Sequence, residues 1–444
     1  MSSGSNFALA SRPGSIQPAL SLPLEMHALY HCADIFFLEK NMLVEPGQEF
    51  VSHVLPYWEY AEPDSSLRLA MTAYSNAVFG RSKGVRSALC LAEKAYMKTV
   101  EQTLEEMKTL SANKIYQVVL AMMLMGSYEN VMFSLRTPLS SPPDEVGSRF
   151  WRSVCHEKGA AALLSVRRER GLAANVALEK VIRQKCLRLL ILQGANMPDW
   201  LKDGTSWGEE GPELELDSLM IRVLILRHKS VALFREIDAA EPHTIEKAKT
   251  MAIEADALDR DLMEWPSTLP RNWNFEIAPA QLQSPPTTNA PAKFPRHLYA
   301  SVGLASVWNR HRALRLVTNR IHQRSLLSLQ SVLKSDSLST NLRKCQENIN
   351  ALAGEMCGGV QFQVDPRSFT KDPQADIVED SMTTLDVLHP GVAGSLAWPL
   401  TIAVSIESVP HLERSWLKAA LRAVARILGH TLLESVTDRG EFRF

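Results

Sequence analysis

The chain has 444 residues, of which 45% are hydrophobic and 22% charged, so it can bury a large core and is not disordered as a whole. Its 48 Lys and Arg residues are balanced by 49 Asp and Glu residues, whereas a dedicated nucleic-acid-binding protein carries a basic excess. Six cysteines are too sparse for a disulfide scaffold, and no stretch approaches the ~18 apolar residues that a membrane span needs. Length alone allows about three domains of ~150 residues or one large helical domain.

The first part of the chain divides into a tail and a helical region. Residues 1–22 are rich in Ser, Pro and Gly without periodicity, which predicts a disordered tail, and they contain one basic residue and no apolar run, so we expect no secretory signal. From Leu24 to about Leu269 the apolar spacing predicts helices. The helix predicted from Arg86 to Leu110 has one apolar stripe, which consists of Leu89, Ala92, Tyr96, Val100, Leu104 and Met107.

Further helices follow up to a proline-rich segment. The segment from Ile115 to Phe133 is apolar on most sides, which predicts a central helix. Two long helices are predicted from Leu214 to Ile237 and from His243 to Trp265, and Pro266 is expected to end the second. Residues 271–295 contain five prolines and are predicted to form a surface loop.

Helical patterns resume after this loop. Helices are predicted from Arg296 to about Leu333 and from Leu342 to Met356. Residues 358–390 are predicted to be irregular, because Gly358, Gly359 and three prolines interrupt them.

The last two helices are predicted from about Val392 to Ile406 and from Leu412 to Leu428, with Gly429 as the C-cap of the second. No segment shows the alternation typical of a strand. We therefore predict an all-α fold, in which residues 23–444 form a large single helical domain of packed antiparallel helices.

No metal site is predicted from the residues. No two cysteines have the C-x2-C spacing that lets a short loop wrap a zinc ion, so they are interpreted as buried thiols. His156 and Glu157 begin an H-E-x-x-H pattern, but the last position is Ala160. His27 and His31 share one face of a helix without a third ligand nearby in the sequence, which favours ordinary histidines over a metal site.

Catalytic and nucleotide-binding motifs are also weak. The segment from Gly80 to Gly84 matches G-x-S-x-G, but a nucleophile elbow needs a strand before its serine, and the preceding segment from Leu67 to Val78 is predicted to be a helix. We therefore interpret the glycines as a helix-to-helix loop with Gly80 at a C-cap. No phosphate-binding glycine loop is present, so the residues themselves predict no catalytic residue and no cofactor.

Charged clusters leave two interpretations open. Arg310, Arg312, Arg315 and Arg320 lie along one predicted helix, where they could form a phosphate-binding face or could pair with neighbouring carboxylates. Arg167, Arg168 and Arg170 are interrupted by Glu169. Asp256, Asp259 and Asp261 could bind Mg²⁺, but they lack a D-D-x-x-D arrangement, which favours a solvated helix face.

Two segments carry a distinctive combination of aromatic, glycine and arginine residues. The first runs from Phe150 to Gly171, and its matching residues are Trp151, His156, Gly159, Ala160, Leu163, Leu164, Arg170 and Gly171. The second runs from His297 to Ile321, and its matching residues are Tyr299, Ala305, Trp308, Asn309, Arg312 and Arg315.

Two shorter segments follow, a turn-like one from Met356 to Phe362 and the W-P-L sequence that begins at Trp398, which is followed by a helix from Arg414 to Gly429. In their order and spacing, the four segments resemble the regulatory middle homology domain of fungal zinc-cluster transcription factors, the fungal-specific transcription factor domain family. The resemblance covers roughly residues 24–435. Because glycines and tryptophans at such positions serve packing, we expect these motifs to be structural and not catalytic.

The resemblance implies a nuclear, non-enzymatic transcription regulator, often one that controls a secondary-metabolite or catabolic gene cluster. Members of this family usually carry an N-terminal zinc cluster with six cysteines in a short run, whereas the roughly 22 residues before the helical region contain none. We therefore expect the chain to contact DNA only indirectly and to act by binding a protein partner or a small-molecule effector. The alternatives are an upstream exon that encodes the cluster, an enzyme or accessory protein of a biosynthetic pathway that reuses the fold, and a structural or oligomerising partner without an effector.

Overall fold

The computed structural model of the protein describes residues 22–36, 53–112, 114–136, 143–238, 244–278, 294–333, 335–364 and 390–430, together with residues 388, 433, 434 and 436. Residues 1–21, which make up most of the predicted disordered tail, lie outside the described residues. So do residues 279–293 of the predicted proline-rich loop and residues 365–387 of the predicted irregular segment.

Helices dominate the described part of the chain, which confirms the predicted all-α fold. Its two short strands, β1 (Glu276–Ile277) and β2 (His297–Leu298), pair antiparallel and were not indicated by the sequence. The α-helices in the described ranges are α1 (Leu24–Phe36), α2 (Val54–Glu59), α3 (Ser66–Lys83), α4 (Arg86–Lys108), α5 (Ile115–Arg136), α6 (Pro143–Glu169), α7 (Val176–Gln193), α8 (Gly211–Asp238), α9 (Thr244–Glu264), α10 (Val302–Gln330), α11 (Asp336–Val364), α12 (Pro390–Ser405) and α13 (His411–Leu428).

Several predicted elements are confirmed. The central helix is α5, in which every residue from Val118 to Met125 is buried. The two long helices predicted on either side of position 240 are α8 and α9, and Pro266 lies in a 3-10 turn directly after α9. Gly429 ends α13 in the left-handed conformation, with φ 61°, which glycine adopts without a steric penalty.

The glycine pair of α11 corrects one prediction. Gly358 and Gly359 do not begin an irregular segment or a turn, because α11 continues past both to Val364. A Cβ atom on Gly358 would lie 2.3 Å from the carbonyl oxygen of Pro295, and one on Gly359 would lie 2.5 Å from Oδ1 of Asn309. The two glycines therefore permit close contact of α11 with its neighbours, which is a packing role inside a helix.

The buried face of α4 also differs from the predicted stripe. Leu104 and Met107 are 58% and 41% exposed, respectively. Glu106 is buried instead, because its carboxylate accepts hydrogen bonds from the backbone N–H of Ser66 at 2.9 Å and from the hydroxyl of Ser66 at 2.5 Å, at the start of α3. The buried face of α4 consists of Ala88, Ala92, Ala95, Tyr96, Thr99, Thr103 and Glu106. On the buried face of α4, the hydrogen-bonded carboxylate of Glu106 thus takes the place of Leu104 and Met107, which the apolar pattern predicts to be buried.

The start of α10 is later than the apolar pattern predicts. The helix begins at Val302, where the Ser301 hydroxyl accepts a hydrogen bond from the backbone N–H of Leu304 at 3.2 Å. The preceding residues form β2, and the backbone N–H of Ala278 donates to the carbonyl of Arg296 beside it at 2.8 Å. The β pairing thus brings the segment after α9 against the start of α10.

Two groups of helices share a continuous core. In the first, α3 contacts α1, α4 and α5, and α5 contacts α6. In the second, α10 contacts α8, α9, α11 and α12, while α13 contacts α11 and α12. The connecting helix α7 contacts both α6 and α8, and buried side chains from both groups belong to one hydrophobic cluster. Within the described ranges, no helix combines the length and the apolar character required to cross a membrane.

Candidate functional site

A buried polar cluster lies where β2, α10 and α11 meet. We call it the Arg312 cluster and define it as His297, Tyr299, Asn309, Arg312, Glu355 and Gln363. The Arg312 side chain is fully buried, and its Nη1 atom donates to the Tyr299 hydroxyl at 2.8 Å and to Oδ1 of Asn309 at 3.0 Å. Its Nε atom donates to Glu355 at 3.3 Å. Three residues of the second sequence motif, Tyr299, Asn309 and Arg312, therefore contact one another directly.

The amide of Asn309 extends the cluster across α11. Its Nδ2 atom donates to Oε1 of Gln363 at 2.6 Å, and Nε2 of Gln363 donates to the Ser306 hydroxyl at 2.8 Å. Ser306 in turn lies 3.1 Å from the Ser395 hydroxyl of α12. The cluster thus links α10 to α11 by hydrogen bonds between buried side chains and to α12 through the half-buried Ser306 and Ser395, an arrangement that fixes one packing geometry.

Aromatic rings enclose the guanidinium group of Arg312. It lies 5.0 Å from the ring centre of Phe275 and 5.5 Å from that of Trp308, within the range of cation–π attraction. Trp308 is held by a hydrogen bond from its Nε1 atom to the carbonyl of Trp273 at 2.8 Å. Burial, followed by the positive charge of Arg312, lowers the pKa of His297 to about 3. The imidazole is therefore neutral near pH 7 and can accept the 3.2 Å hydrogen bond from Arg312.

These contacts give the Arg312 cluster a structural role. Burial raises the pKa of Tyr299, so its hydroxyl stays protonated near neutral pH. With neutral His297 beside it, neither side chain titrates near pH 7, as a general acid or base would.

The arginines of α10 pair with groups on other helices, which answers the question that the sequence left open. Arg315 forms a bidentate pair with Asp259 of α9, at 2.8 and 3.1 Å. Arg320 lies 3.6 Å from Glu407, and Arg310 donates to Oε1 of Gln184 at 3.2 Å. Arg312, Arg315 and Arg320 thus contact carboxylates, as the pairing interpretation predicts, whereas Arg310 contacts a neutral amide.

The first sequence motif lies in α6, away from the Arg312 cluster. Nε2 of His156 lies 3.0 Å from the Tyr96 hydroxyl, and burial lowers the pKa of His156. A Cβ atom on Gly159 would lie 3.4 Å from the sulfur of Met122, so this glycine sets a close contact between α6 and α5. Ala160 is fully buried, whereas the side chain of Trp151 lies outside the described part of the structure.

Trp398 of the last motif belongs neither to the Arg312 cluster nor to α6. It is buried in α12, and its Nε1 atom donates to the carbonyl of Arg188 in α7 at 3.0 Å. The ten predicted motif residues are therefore not one site. Three of them, Tyr299, Trp308 and Asn309, surround the guanidinium of a fourth, Arg312, and Arg315 follows one turn later on α10.

The serine of the G-x-S-x-G match lies beside a histidine that the sequence did not associate with it. Nε2 of His31 is 2.8 Å from the Ser82 hydroxyl, in an exposed position. Ser82 belongs to the last turn of α3, which ends at Gly84 with φ 68°, so Gly84 and not Gly80 is the C-cap. The serine hydroxyl also donates to the carbonyl of Phe79 at 3.3 Å. A serine in a helix lacks the strained turn and oxyanion donors of a nucleophile elbow.

Neither thiols nor carboxylates form a metal centre in the described residues, among which no group of three or more His, Cys, Asp or Glu could hold an ion. Cys32 and Cys186 are buried, which raises the pKa of each thiol to about 12 and keeps it protonated. The aspartates of α9 are used in ion pairs: Asp261 contacts Arg222 at 2.6 Å, and Asp259 pairs with Arg315 as described above.

A second buried network, centred on Arg183, joins α7 to α8. The fully buried Arg183 forms a bidentate pair with Asp217 at 2.8 and 2.7 Å, and its Nε atom donates to the carbonyl of Leu201 at 2.9 Å. Glu209 lies 3.7 Å from Arg183 and accepts a 2.5 Å hydrogen bond from Gln184. The sequence does not indicate this network, because no local pattern joins residues that are so far apart in the chain.

A small open cavity lies near one end of α7. Its volume is about 260 Å³, and we call it the Arg168 pocket, defined by its lining residues Arg167, Arg168, Ala174, Val176, Glu179, Ser206 and Trp207. The Arg168 guanidinium lies 3.5 Å from the ring centre of Trp207. It also donates from Nη1 to the Ser206 hydroxyl at 3.0 Å and from Nη2 to the Ser206 carbonyl at 2.5 Å. The sequence marked the two arginines as a basic segment but gave no sign of Trp207 beside them.

Comparison with known proteins finds no match to this chain. No family model matches the chain, and neither a curated protein nor a solved structure does. What the chain does is therefore inferred from its own residues and their arrangement.

Proposed function

We propose that the protein is a transcription-regulator-like protein whose helical region, residues 23–444, acts in the nucleus by binding a protein partner or a small effector. The Arg312 cluster is the observation that supports this most. Tyr299, Asn309 and Arg312 come from the second motif, and Gly359, which gives them room, comes from the third. Two segments picked out by one family resemblance thus meet in space, as parts of one fold signature do.

Control of a secondary-metabolite or catabolic gene cluster is part of the proposal and follows from the resemblance alone. An indirect relation to DNA has support of its own. The balance of 48 basic against 49 acidic residues provides no electrostatic excess, and three arginines of α10, Arg312, Arg315 and Arg320, lie at ion-pair distance from Glu355, Asp259 and Glu407. Paired arginines are poorly suited to release counterions from a DNA backbone.

A DNA-binding assay on the purified chain tests the indirect relation to DNA. Fluorescence anisotropy with random duplexes and with promoter fragments from the source organism is expected to give weak binding without sequence preference. Tight and sequence-selective binding that weakens steeply with salt would contradict this part of the proposal.

A tethering assay tests regulation by protein contacts. The chain is fused to an unrelated DNA-binding module and placed upstream of a reporter gene in a fungal host. We expect the reporter output to rise or fall relative to the module alone, because the regulator then needs no DNA reader of its own. Reporter output equal to that of the module alone would count against regulation through partners.

A further inference from the structure

The Arg168 pocket has the size of a small metabolite site. It lies between the C-terminal end of α6, the first turn of α7 and the 3-10 helix Thr205–Trp207. A volume of about 260 Å³ is close to the lower end of the ~300–1,000 Å³ range of small-ligand pockets.

The ionised side chains that line the pocket, two arginines and one glutamate, carry a net charge of +1. Glu179 is buried, and Arg167 neutralises it through contacts at 2.7 Å to Oε1 and 3.0 Å to Oε2. The Tyr116 hydroxyl donates to Oε1 as well, so both carboxylate oxygens are occupied. The Nε atom of Arg168 also lies 3.6 Å from Oε2 of Glu179, at ion-pair distance, so two guanidinium groups share this one carboxylate. The lining therefore attracts an anion.

The Arg168 guanidinium is held in place, and its hydrogen bonds to Ser206 do not use all of its N–H donors. Stacking on Trp207 and two hydrogen bonds to Ser206 fix its plane. These bonds use two of the five N–H donors of a guanidinium group. The Nε atom is buried and faces Oε2 of Glu179 at 3.6 Å, so the donors that remain for a ligand are the second N–H groups of Nη1 and Nη2. A pre-oriented guanidinium with unused donors is well suited to a carboxylate, whose two oxygens accept a pair of N–H groups.

We propose that the Arg168 pocket binds a small organic monoanion, with its carboxylate on the Arg168 guanidinium and its apolar part against Ala174 and Val176. The excess of one positive charge favours a single carboxylate over a phosphate group, which carries more negative charge near pH 7. As an effector site, the pocket rests on the proposed function, whereas anion binding itself is measured on the purified chain.

Calorimetry and nuclear magnetic resonance on the full chain test the pocket with three probes: acetate, benzoate and hexanoate. We expect saturable millimolar binding of at least one carboxylate, no binding of its neutral amide, and weakening by salt. The Arg168→Gln variant should bind at least about tenfold more weakly. Arg170→Gln, an exposed charge change two positions away, should bind like the natural chain.

A second pair of variants guards against misfolding of the Arg168 variant. Ala174→Leu fills the pocket and keeps Arg168, so it should abolish binding, whereas Ala173→Leu, next to the pocket lining, should not. The absence of saturable binding by all three carboxylates, equal binding of the amide, or full binding by Arg168→Gln or Ala174→Leu would overturn the proposed site. If the carboxylate binds through Arg168 but tethering leaves the reporter unchanged, the pocket stands and the proposed function fails.

Discussion

Replacement of Gly359 by alanine should destabilise the protein, although alanine is the better helix former. In a helix interior, the change from glycine to alanine gains about 1 kcal/mol. At position 359, however, the new Cβ atom would lie 2.5 Å from Oδ1 of Asn309 and 2.8 Å from Nη1 of Arg312. Both neighbours are fully buried and hydrogen-bonded, so neither side chain can move away without breaking a bond.

The expected loss of stability follows from the hydrogen bonds of Asn309 that the new Cβ atom would disturb. Moving Asn309 weakens its hydrogen bonds with Gln363 at 2.6 Å and with Arg312 at 3.0 Å. Each buried group left without a partner costs about 1–3 kcal/mol. After subtraction of the helix gain, we expect Gly359→Ala to lower the free energy of unfolding by about 1–5 kcal/mol.

Gly354 provides the matched control, because it lies in the same helix and a Cβ atom there meets nothing within 4 Å. Gly354→Ala should therefore raise stability by up to about 1 kcal/mol. Urea and thermal unfolding, followed by circular dichroism, should show transition midpoints that shift in opposite directions. If Gly359→Ala is as stable as the natural protein or as Gly354→Ala, the Arg312 cluster does not restrict α11 as described.

Three further outcomes are expected. Arg183→Leu leaves Asp217 and Glu209 buried without their guanidinium partner and should cost about 3–5 kcal/mol, whereas Arg222→Leu, which breaks the exposed pair with Asp261, should cost at most about 1 kcal/mol; thermal unfolding of both variants checks this, and equal losses would contradict the reasoning. Burial lowers the pKa of His311 to about 3 from an ordinary value of 6.5, so the neutral form is stabilised in the folded state and stability falls as the pH drops from 6.5 towards 3. In His311→Gln, the dependence of the unfolding free energy on pH in this window should be shallower, and an unchanged slope would exclude His311 as its source. Asn309→Ala should remove the shorter of the two close contacts at position 359 and leave the one with Arg312, so Gly359→Ala should cost less in that background than in the natural protein, and strict additivity in a double-mutant cycle would argue against contact with Asn309.

The sequence predicts the helical skeleton well, because apolar periodicity and helix caps are local signals. Examples are α5, whose residues are apolar on most sides, and Gly429, which ends α13 as expected. The family motif also drew attention to Tyr299, Asn309 and Arg312, although not to the fact that they contact one another. The predictions failed where tertiary contacts override local preference, as at Gly358 and Gly359 inside α11.

Long-range polar contacts could not be derived from the sequence. Arg183 and Asp217 are on different helices, and nothing in their neighbourhood indicates that a buried ion pair joins them. The Arg168 pocket likewise depends on Trp207, which reaches the arginines through an irregular connection between α7 and α8. Such pairs are fixed by the packing of whole helices and carry no short-range pattern.

Transcript profiling of the source organism with the gene deleted and then restored tests the central claim most directly. A regulator is expected to change the transcript levels of a defined set of genes, and the restored gene or its Gly354→Ala form should reverse the change. Unchanged transcripts together with the accumulation of a pathway intermediate would contradict the regulatory function and would favour an enzyme or accessory protein that reuses this helical fold.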